Sequence, residues 1–512
     1  MPTDIQAPEI LYGPLSPILI VFGVAVLGVL VEAFVPGRLR RGVQVVLSLA
    51  GLLAALVAVV LLAGTSKLVA SDAVAVDGPA LFLQGLLAIL GMVGILMLAE
   101  RSLDSSGGAV VSKAAVTPGS REDVALSESD AIQSEVFPLA LFSLAGMMLF
   151  PAANNLLLMF VALEVLSFPL YIMAGLARRR RLLSQEAALK YFLLGSFASA
   201  FFIYGVALLY GYAGSVEIGR IFDATGDAGN SDVLLYLGIA MLSVGLLFKV
   251  GAVPFQSWTP DVYQGSPTPV TALMAACTKI AAFGAVLRVF YVGFGQASWD
   301  WRPVMWGVAI LTMVVGAVLA VTQTDIKRML AYSAIAHTGF ILVGVIALNK
   351  DGLSGTLFYL ATYGFTTMAA FALVSLVRDS SGEATHLAQW TGLGRRSPLV
   401  AGVFALFLFA LAGIPLTSGF MAKFAVFKAG IEGGATPLVI VGVVASAVTA
   451  FFYARVVVLM FFNEPAPDGP TVAIPSGYTA ATIALGLAVT VVLGVLPQPV
   501  LDLANQAALF VR

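Results

Sequence analysis

The sequence predicts an all-α integral membrane protein of about fourteen transmembrane helices, and three observations carry that expectation. The 512 residues are 60% hydrophobic and only 11% charged, whereas a soluble domain is about half apolar and a quarter charged. Mean hydropathy is +0.98. Uninterrupted apolar runs, each long enough to cross a hydrocarbon core of about 30 Å, recur along the whole chain. None alternates in polarity over about ten residues, as barrel strands do.

The elements follow in order. Segment 1 (14–35) comes after MPTDIQAPEILYGP, which lacks the positive region of a signal peptide, so it is expected to be retained. Segments 2 and 3 (42–64 and 78–100) complete an N-terminal group over 1–100. Residues 101–135 are rich in Ser, Gly, Asp and Glu and are expected to form a mobile polar cytoplasmic loop. Segments 4 to 8 (136–152, 154–177, 185–213, 232–257 and 266–296) make a group of five over 136–296. Segments 9 to 13 (301–323, 326–348, 353–378, 398–430 and 436–462) make a second over 297–462. Segment 14 (474–497) belongs to a C-terminal helix and tail over 463–512. An odd number of helices per group forces the second copy to run inverted.

Basic residues orient the chain. Arg38, Arg40 and Arg41, then Arg178 to Arg181, then Lys327 and Arg328, then Arg395 and Arg396 all fall on one side of a fourteen-helix arrangement. That side is expected to be cytoplasmic, with both termini facing outward. The stretch 214–232 on the other side carries Glu217, Asp223, Asp227 and Asp232 against Arg220 alone.

Composition also excludes function classes. A net charge of −1 argues against a nucleic-acid partner. One cysteine, Cys277, and two histidines, His337 and His386, leave no disulfide framework and argue against iron–sulfur clusters and most metal sites. Neither GxxxxGK[ST] nor a GxGxxG after a strand is present. The lipid bilayer is the partner the composition does require.

Two segments are interrupted. Segment 7 contains FKVGAVPF and segment 12 contains LAGIPLTSGFMAKF. Pro254 and Pro415 each sit mid-segment beside a glycine, Gly251 and Gly413, with a lysine in the same segment, Lys249 and Lys423. Proline removes a backbone donor and clashes with the carbonyl four residues earlier. At bilayer depth the freed carbonyl survives only against protein or a water-lined cavity. Paired interruptions point to a repeat-built transporter with sites near the midplane. Tolerated kinks are the competing reading, but they leave the two lysines unexplained.

Ionisable residues inside apolar runs are the remaining signal. Glu164, Lys249, Lys279 and Lys423 lie deep in their segments, where an ionised side chain costs at least about 2.5–3.5 kcal/mol. Glu186 and Lys190 sit one turn apart near the start of segment 6. A lysine whose carboxylate partner approaches or recedes gains and loses a proton near neutrality. Glu164 is therefore expected to partner Lys249. Lys279 would receive the proton next, with His337 as a bridge and Lys423 as the exit. A structural salt bridge and a hydrogen-bonded core histidine are the bland alternatives. Arg288 and Arg455 read as structural, and Lys428 reads as snorkelling. Moving a proton against about 100 mV costs about 2.3 kcal/mol, so a partner or a counter-ion must supply the work.

KVGAVPFQSWTPDVYQGSPTPVTA, ACTKIAAFGAVLR, DIKRMLAYSAIAHTGF and LAGIPLTSGFMAKF closely resemble the antiporter-like membrane subunits of the proton-pumping NADH-quinone oxidoreductase, respiratory complex I. The resemblance spans most of the chain. PDVYxGxPTPV followed by a lysine in segment 8 resembles the N branch of that family rather than its L and M branches. It implies a proton channel with two inverted five-helix repeats. It places Glu164, Lys249, Lys279 and Lys423 at the family's relay positions and Glu186 with Lys190 at its acid–lysine pair. It also implies no cofactor on this chain, with FMN, iron–sulfur clusters and quinone held by partner subunits. Those partners would be other membrane-arm subunits, antiporter-like and small, and the peripheral redox arm of a bacterial plasma-membrane complex. Gln256 stands where the family often has histidine, and 101–135 looks like an insertion. A subunit of a multisubunit sodium–proton antiporter is the alternative; sodium would require clustered oxygens, and Glu164 is the one acidic residue clearly at mid-membrane.

Overall fold

The computed structural model describes residues 11–103, 108–111, 116–117, 120–128, 134–226, 232–379, 382–465 and 469–512. The N-terminal ten residues, Asp227 and parts of the 101–135 stretch lie outside them. The bundle begins with α1 (Tyr12–Phe34), α2 (Gly37–Leu61), the hairpin β1 (Lys67–Val69) and β2 (Val74–Val76), and α3 (Gly78–Leu98). After α4 (Arg121–Glu128) come α5 (Val136–Leu149), α6 (Leu156–Ala174), α7 (Arg181–Ala213), α8 (Ile218–Ala224) and α9 (Asp232–Val250). A short α10 (Trp258–Gly265) precedes α11 (Thr268–Leu273), which continues through a π-helical turn, Met274–Thr278, into α12 (Lys279–Arg288). The second half holds α13 (Ser298–Val321), α14 (Ile326–Ala347), α15 (Lys350–Val374), β3 (Val377–Asp379), β4 (Gly382–Glu383), α16 (Leu393–Arg396), α17 (Pro398–Ala412), α18 (Ser418–Glu432), α19 (Thr436–Phe462), β5 (Thr471–Val472), α20 (Gly477–Val495) and α21 (Gln498–Ala507).

Among the described residues, 12 helices are long and apolar enough to cross a membrane, and the shorter apolar stretches Val136–Ala152 and Pro398–Ala412 add to them. Every segment predicted from the sequence coincides with a helix or a helix pair. Hydropathy did not say which helices are central, because lipid is as apolar as a protein core. Burial does. The stretch Thr268–Gly293 is buried throughout its apolar window and α14 and α15 nearly so, whereas α1 is buried over only 22% of its window. The helices that carry Lys279 and His337 therefore form the interior, and α1 lies at the rim.

Two details correct the sequence expectations. The described parts of 101–135 are not a free loop. Val110, Val111 and Val116 are buried, Val111 N donates to Leu176 O, and Arg178 N donates to Ala109 O. Residues Arg121–Glu128 are helical. Apolar side chains spaced through the polar stretch give it something to bury. Segment 3 also stops at Leu98, and Glu100 ties α3 to α20 by accepting from Ser102, Ser476 and Thr479. Burial alone would raise the Glu100 carboxyl, but those hydrogen bonds outweigh it and hold it at about 2.

The basic turns gather at one end of the bundle. Arg178, Arg180 and Lys327 line a single cavity of about 70 Å³ with Glu100 and Glu383. Arg180 donates to Thr385 Oγ1 and to Glu383 O, and Lys327 donates to Ser266 O. At Arg288, the structural reading holds. It forms a fully buried ion pair with Asp77 at 2.9 Å and donates to Pro151 O, while Val511 N donates to the same carboxylate.

Candidate functional site

The first interruption ends α9 rather than kinking it. Gly251 takes φ +74, which a residue with a Cβ adopts only with strain, and the Val253–Pro254 bond is cis. Three of the carbonyls released by the break find a donor. Gly251 N and Trp258 Nε1 both donate to Phe248 O, and Ala252 N donates to Leu247 O. Thr338 Oγ1, from α14, donates to Val250 O at 2.7 Å. Satisfying each group inside protein is what bilayer depth demands.

Lys249 lies two residues before the break and is almost fully buried. Its Nζ donates to Ser167 Oγ at 2.7 Å and to Tyr191 OH at 3.3 Å, and it sits 5.2 Å from the Tyr191 ring centroid and 5.9 Å from that of Tyr171. Tyr191 is held in place by stacking on Trp258, the rings nearly parallel and 4.7 Å apart. The break thus supplies the ring that positions the lysine. Glu164 lies one turn from Ser167 on α6. Its Oε1 is buried without a hydrogen-bond partner. Among the described residues the expected direct contact with Lys249 is not made; Ser167 instead accepts from the lysine and donates to Leu163 O.

Lys279 follows the π-helical turn on α12. Such turns shift the side-chain phase and concentrate at functional sites. Its Nζ donates to Ala334 O and, at 2.6 Å, to Thr338 Oγ1. Thr338 therefore links Lys279 to the released carbonyl of Val250. Lys249 and Lys279 both line a small space of about 10 Å³, bounded also by Thr259, Tyr263 and Thr278.

His337, next to Thr338, shares a hydrogen bond of 2.7 Å between Nδ1 and Tyr359 OH. Its Nε2 and the hydroxyl of Tyr363 are buried and make no well-aligned hydrogen bond among the described residues. The Tyr363 ring stands 5.3 Å from Lys279 Nζ and 5.2 Å from the His337 ring.

The second interruption uses the same device with a different outcome. Gly413, φ +82, ends α17, and α18 starts at Ser418. Lys423 lies beyond this break, not before it. Its side chain folds back against Gly413, where a Cβ would sit 2.9 Å from Lys423 Cδ. Its Nζ donates to Ala412 O and Ser446 Oγ, both at 2.8 Å. Phe340 stands between His337 and this amine, 5.7 Å from one ring and 4.6 Å from the Lys423 Nζ. A groove of about 630 Å³, largely apolar, reaches Lys423 and Ser446 from the flank.

Glu186 and Lys190 pair at 2.6 Å, as their spacing predicts. Asp261, on α10, was not singled out in the sequence. It pairs with Lys190 at 2.7 Å and with Arg328 of α14 at 2.6 Å, so it joins the two halves of the chain. Its position in TPDVY is a mark of α10, but nothing local shows its partners, which lie 71 and 67 residues away. Ser167, Tyr191 and Thr338 were missed for the same reason. Gln256 Oε1 is buried without a partner, while Pro254 and Ser257 beside it are exposed.

Broken helices with lysines held in a buried polar series define the class, an antiporter-like membrane protein. Residues 153–449 match the family described as NADH:quinone oxidoreductase/Mrp antiporter, TM. A relative from Parafrankia sp. (strain EAN1pec), "NADH-quinone oxidoreductase subunit N", is 64% identical over 98% of this chain and 96% of its own length. Another of that name from Rhodococcus opacus (strain B4) is 63% identical over 99% of this chain and 98% of its own. A chain of respiratory complex I from Thermus thermophilus, solved with bound aureothin, is 34% identical with a TM-score of 0.77, over 96% of this chain and 99% of that one. A chain of the Mrp complex from Dietzia sp. DQ12-45-1b reaches a TM-score of 0.81 over 96% and 97%, at 23% identity, which carries the fold alone. The chain belongs to the subunit N family of NADH-quinone oxidoreductase and is an antiporter-like, multi-pass membrane subunit of bacterial respiratory complex I.

Proposed function

We propose that this subunit moves protons along a relay of Glu164, Lys249, Lys279, His337 and Lys423, supplied at one end by Glu186 and Lys190, and that quinone reduction in partner subunits drives it. The observation that supports this most is how the three lysines are held. Each amine is buried, and its described hydrogen-bond acceptors are hydroxyls and backbone carbonyls rather than carboxylates. An amine bound to neutral acceptors changes charge state without breaking an ion pair, whereas one locked to a carboxylate must leave it unpaired in a low dielectric. Glu164, close by with an unsatisfied oxygen, sets the electrostatics of Lys249 without capturing its proton.

The halves 136–296 and 297–462 act in this reading as inverted repeats. Glycines with positive φ end α9 and α17 alike, which supports the pairing. Both breaks surface on the flank, with Pro254, Ser257, Pro415 and Leu416 exposed. Irregular backbone at bilayer depth requires a protein cover, and neighbouring membrane-arm subunits provide it.

The test is NADH-driven proton uptake by inverted membrane vesicles carrying the assembled oxidoreductase with Lys249→Ala or Lys279→Ala. Fewer protons per NADH oxidised is the expected result. Unchanged proton uptake in an assembled enzyme overturns the relay and leaves a structural subunit.

A further inference from the structure

We propose that the cavity at the basic end of the bundle is a binding site for a phosphate group, held by Arg180, Lys327 and Ser266 where the two halves of the chain meet. An anionic phospholipid headgroup and inorganic phosphate present the same chemistry to it. The inference does not rest on the proton relay.

Charge is the first observation. Five basic side chains line the cavity, Arg178 to Arg180, Lys327 and Arg378, against two acidic ones, Glu100 and Glu383. Both acids already accept hydrogen bonds, Glu100 from Ser476 and Thr479 and Glu383 from Thr268. The second observation is how two of the cations are held. Arg180 donates to Thr385 Oγ1 and Glu383 O, and Lys327 Nζ donates to Ser266 O. Among the described residues these neutral acceptors take two of five guanidinium N–H groups and one of three on the ammonium. Lys327 is nonetheless only 2% exposed, and a cation kept from water without an anion is costly. Third, Ser266 lines the cavity, is also 2% exposed, and its Oγ makes no hydrogen bond among the described residues. Buried hydroxyls are satisfied as a rule, by protein or by something bound. Because the Ser266 carbonyl accepts from Lys327, this hydroxyl and that amine stand on the same wall.

Size and placement fit the ligand. One water needs about 10–15 Å³ of such space, so a cavity of about 70 Å³ admits about five water-sized groups, the size of a phosphorus with four oxygens. Arg180 stands immediately before α7 with φ +58, a left-handed conformation that a residue with a Cβ enters only with strain and that concentrates at ligand clamps. Its planar fork suits two phosphate oxygens, and the lysine supplies a point charge. Arg180 belongs to the first half of the chain and Lys327, at the start of α14, to the second, so one bound anion ties both together. The polar stretch 101–135 contributes Gly108 and Ala109 to the wall, and Arg178 Nε donates to Gly108 O. Basic pockets between membrane helices at a cytoplasmic surface take phosphate headgroups.

The test uses the assembled oxidoreductase purified in detergent. Density maps sharp enough to show small bound groups are expected to hold a tetrahedral feature within hydrogen-bond distance of Arg180, Lys327 and Ser266. Density that continues into acyl chains, with phospholipid retained through delipidating washes, assigns the lipid as source. An isolated feature, with radiolabelled inorganic phosphate taken up by the delipidated assembly, assigns free phosphate. A cavity holding water alone overturns the proposal. Variants give a second reading. A charge-assisted hydrogen bond to phosphate is worth about ten-fold or more in affinity. Arg180→Gln and Lys327→Gln are therefore each expected to weaken the binding of one equivalent of lipid or phosphate per complex by at least about ten-fold, and Lys327→Arg to keep most of it. Equal binding by the parent and both glutamine variants overturns the site. Should the glutamine variants fail to assemble, the maps of the parent enzyme decide by themselves.

Discussion

Arg288 and Lys279 sit on the same helix, α12, and are both buried, yet they are held in opposite ways. Arg288 is locked: Asp77 faces it at 2.9 Å with neither side chain exposed, and the Asp77 carboxylate also caps α3 through Ala80 N. Among the described residues, the hydrogen bonds of Lys279 go to a hydroxyl and a carbonyl. Two buried basic side chains nine residues apart are therefore held differently, one ion-paired and the other bound to neutral acceptors. The ion pair carries its own prediction. Asp77→Asn keeps a side chain able to cap the helix but leaves the guanidinium unpaired, which costs about 3–5 kcal/mol. The variant subunit is expected to be depleted from the assembled complex and to denature at lower temperature. Pairing it with Arg288→Met is expected to restore most of that loss, as measured by thermal unfolding of the detergent-purified assembly. If the double variant is no more stable than Asp77→Asn alone, the ion pair is not the source of the cost. At this scale the sequence was half legible. Lysines and a glutamate in apolar runs stand out because bilayer depth penalises them, and so they could be named. Their acceptors could not. Serine, tyrosine and threonine carry no comparable penalty, and Ser167 lies 82 residues from the lysine it meets.

Among the elements, the long apolar helices were readable because hydropathy and length suffice to mark them. The breaks were readable because proline and glycine are costly inside a helix. What lies across each break was not. Both interruptions begin with a glycine at positive φ, but Lys249 precedes its break while Lys423 follows, ten residues past Gly413. A linear motif of glycine, proline and lysine cannot state which half-helix the amine will rest on, since that depends on how the second half folds back. The first break also organises more than its own helix. Trp258 stacks on Tyr191 and satisfies Phe248 O, so one indole both seals the break and sets the Lys249 cage. Gly251→Ala tests that linkage. A left-handed φ costs a residue with a Cβ roughly 1–2 kcal/mol, and the new methyl would press on Thr259 Oγ1 at 3.1 Å. The variant is expected to lower both the thermal midpoint and the pumping rate, with Gly251→Asn milder because asparagine tolerates this conformation better. Equal behaviour of Ala, Asn and the parent glycine in both assays would mean the break does not hold the lysine.

Across the whole molecule, the buried series runs through both halves of the chain, and one of the links between those halves at the basic end is Asp261. It bridges Lys190 of α7 to Arg328 of α14, and Gln264 continues the bridge to Asp325. These side chains are about 30% to 40% exposed at the Lys190–Asp261 contact. Ion pairs as accessible as these contribute no more than about 1 kcal/mol each to stability, so the cluster is not what holds the fold together. The interior does that, through the stretch Thr268–Gly293, buried throughout its apolar window, and its neighbours α14 and α15. A bridge that stabilises little yet spans both halves is suited to transmitting a change of charge from one to the other. Asp261→Asn separates the two roles. It removes the carboxylate that holds Lys190 and Arg328 together and leaves an amide of nearly the same shape. The complex is expected to assemble, with a thermal midpoint close to that of the parent, and to pump fewer protons per NADH. Lys190, deprived of Asp261, would still pair with Glu186 on its own helix, so the deficit reports the connection between halves rather than the loss of a charged lysine. Glu186→Gln supplies the contrast, because it weakens the local pair and spares the bridge. If Asp261→Asn pumps normally while Glu186→Gln does not, the two halves do not communicate through Asp261.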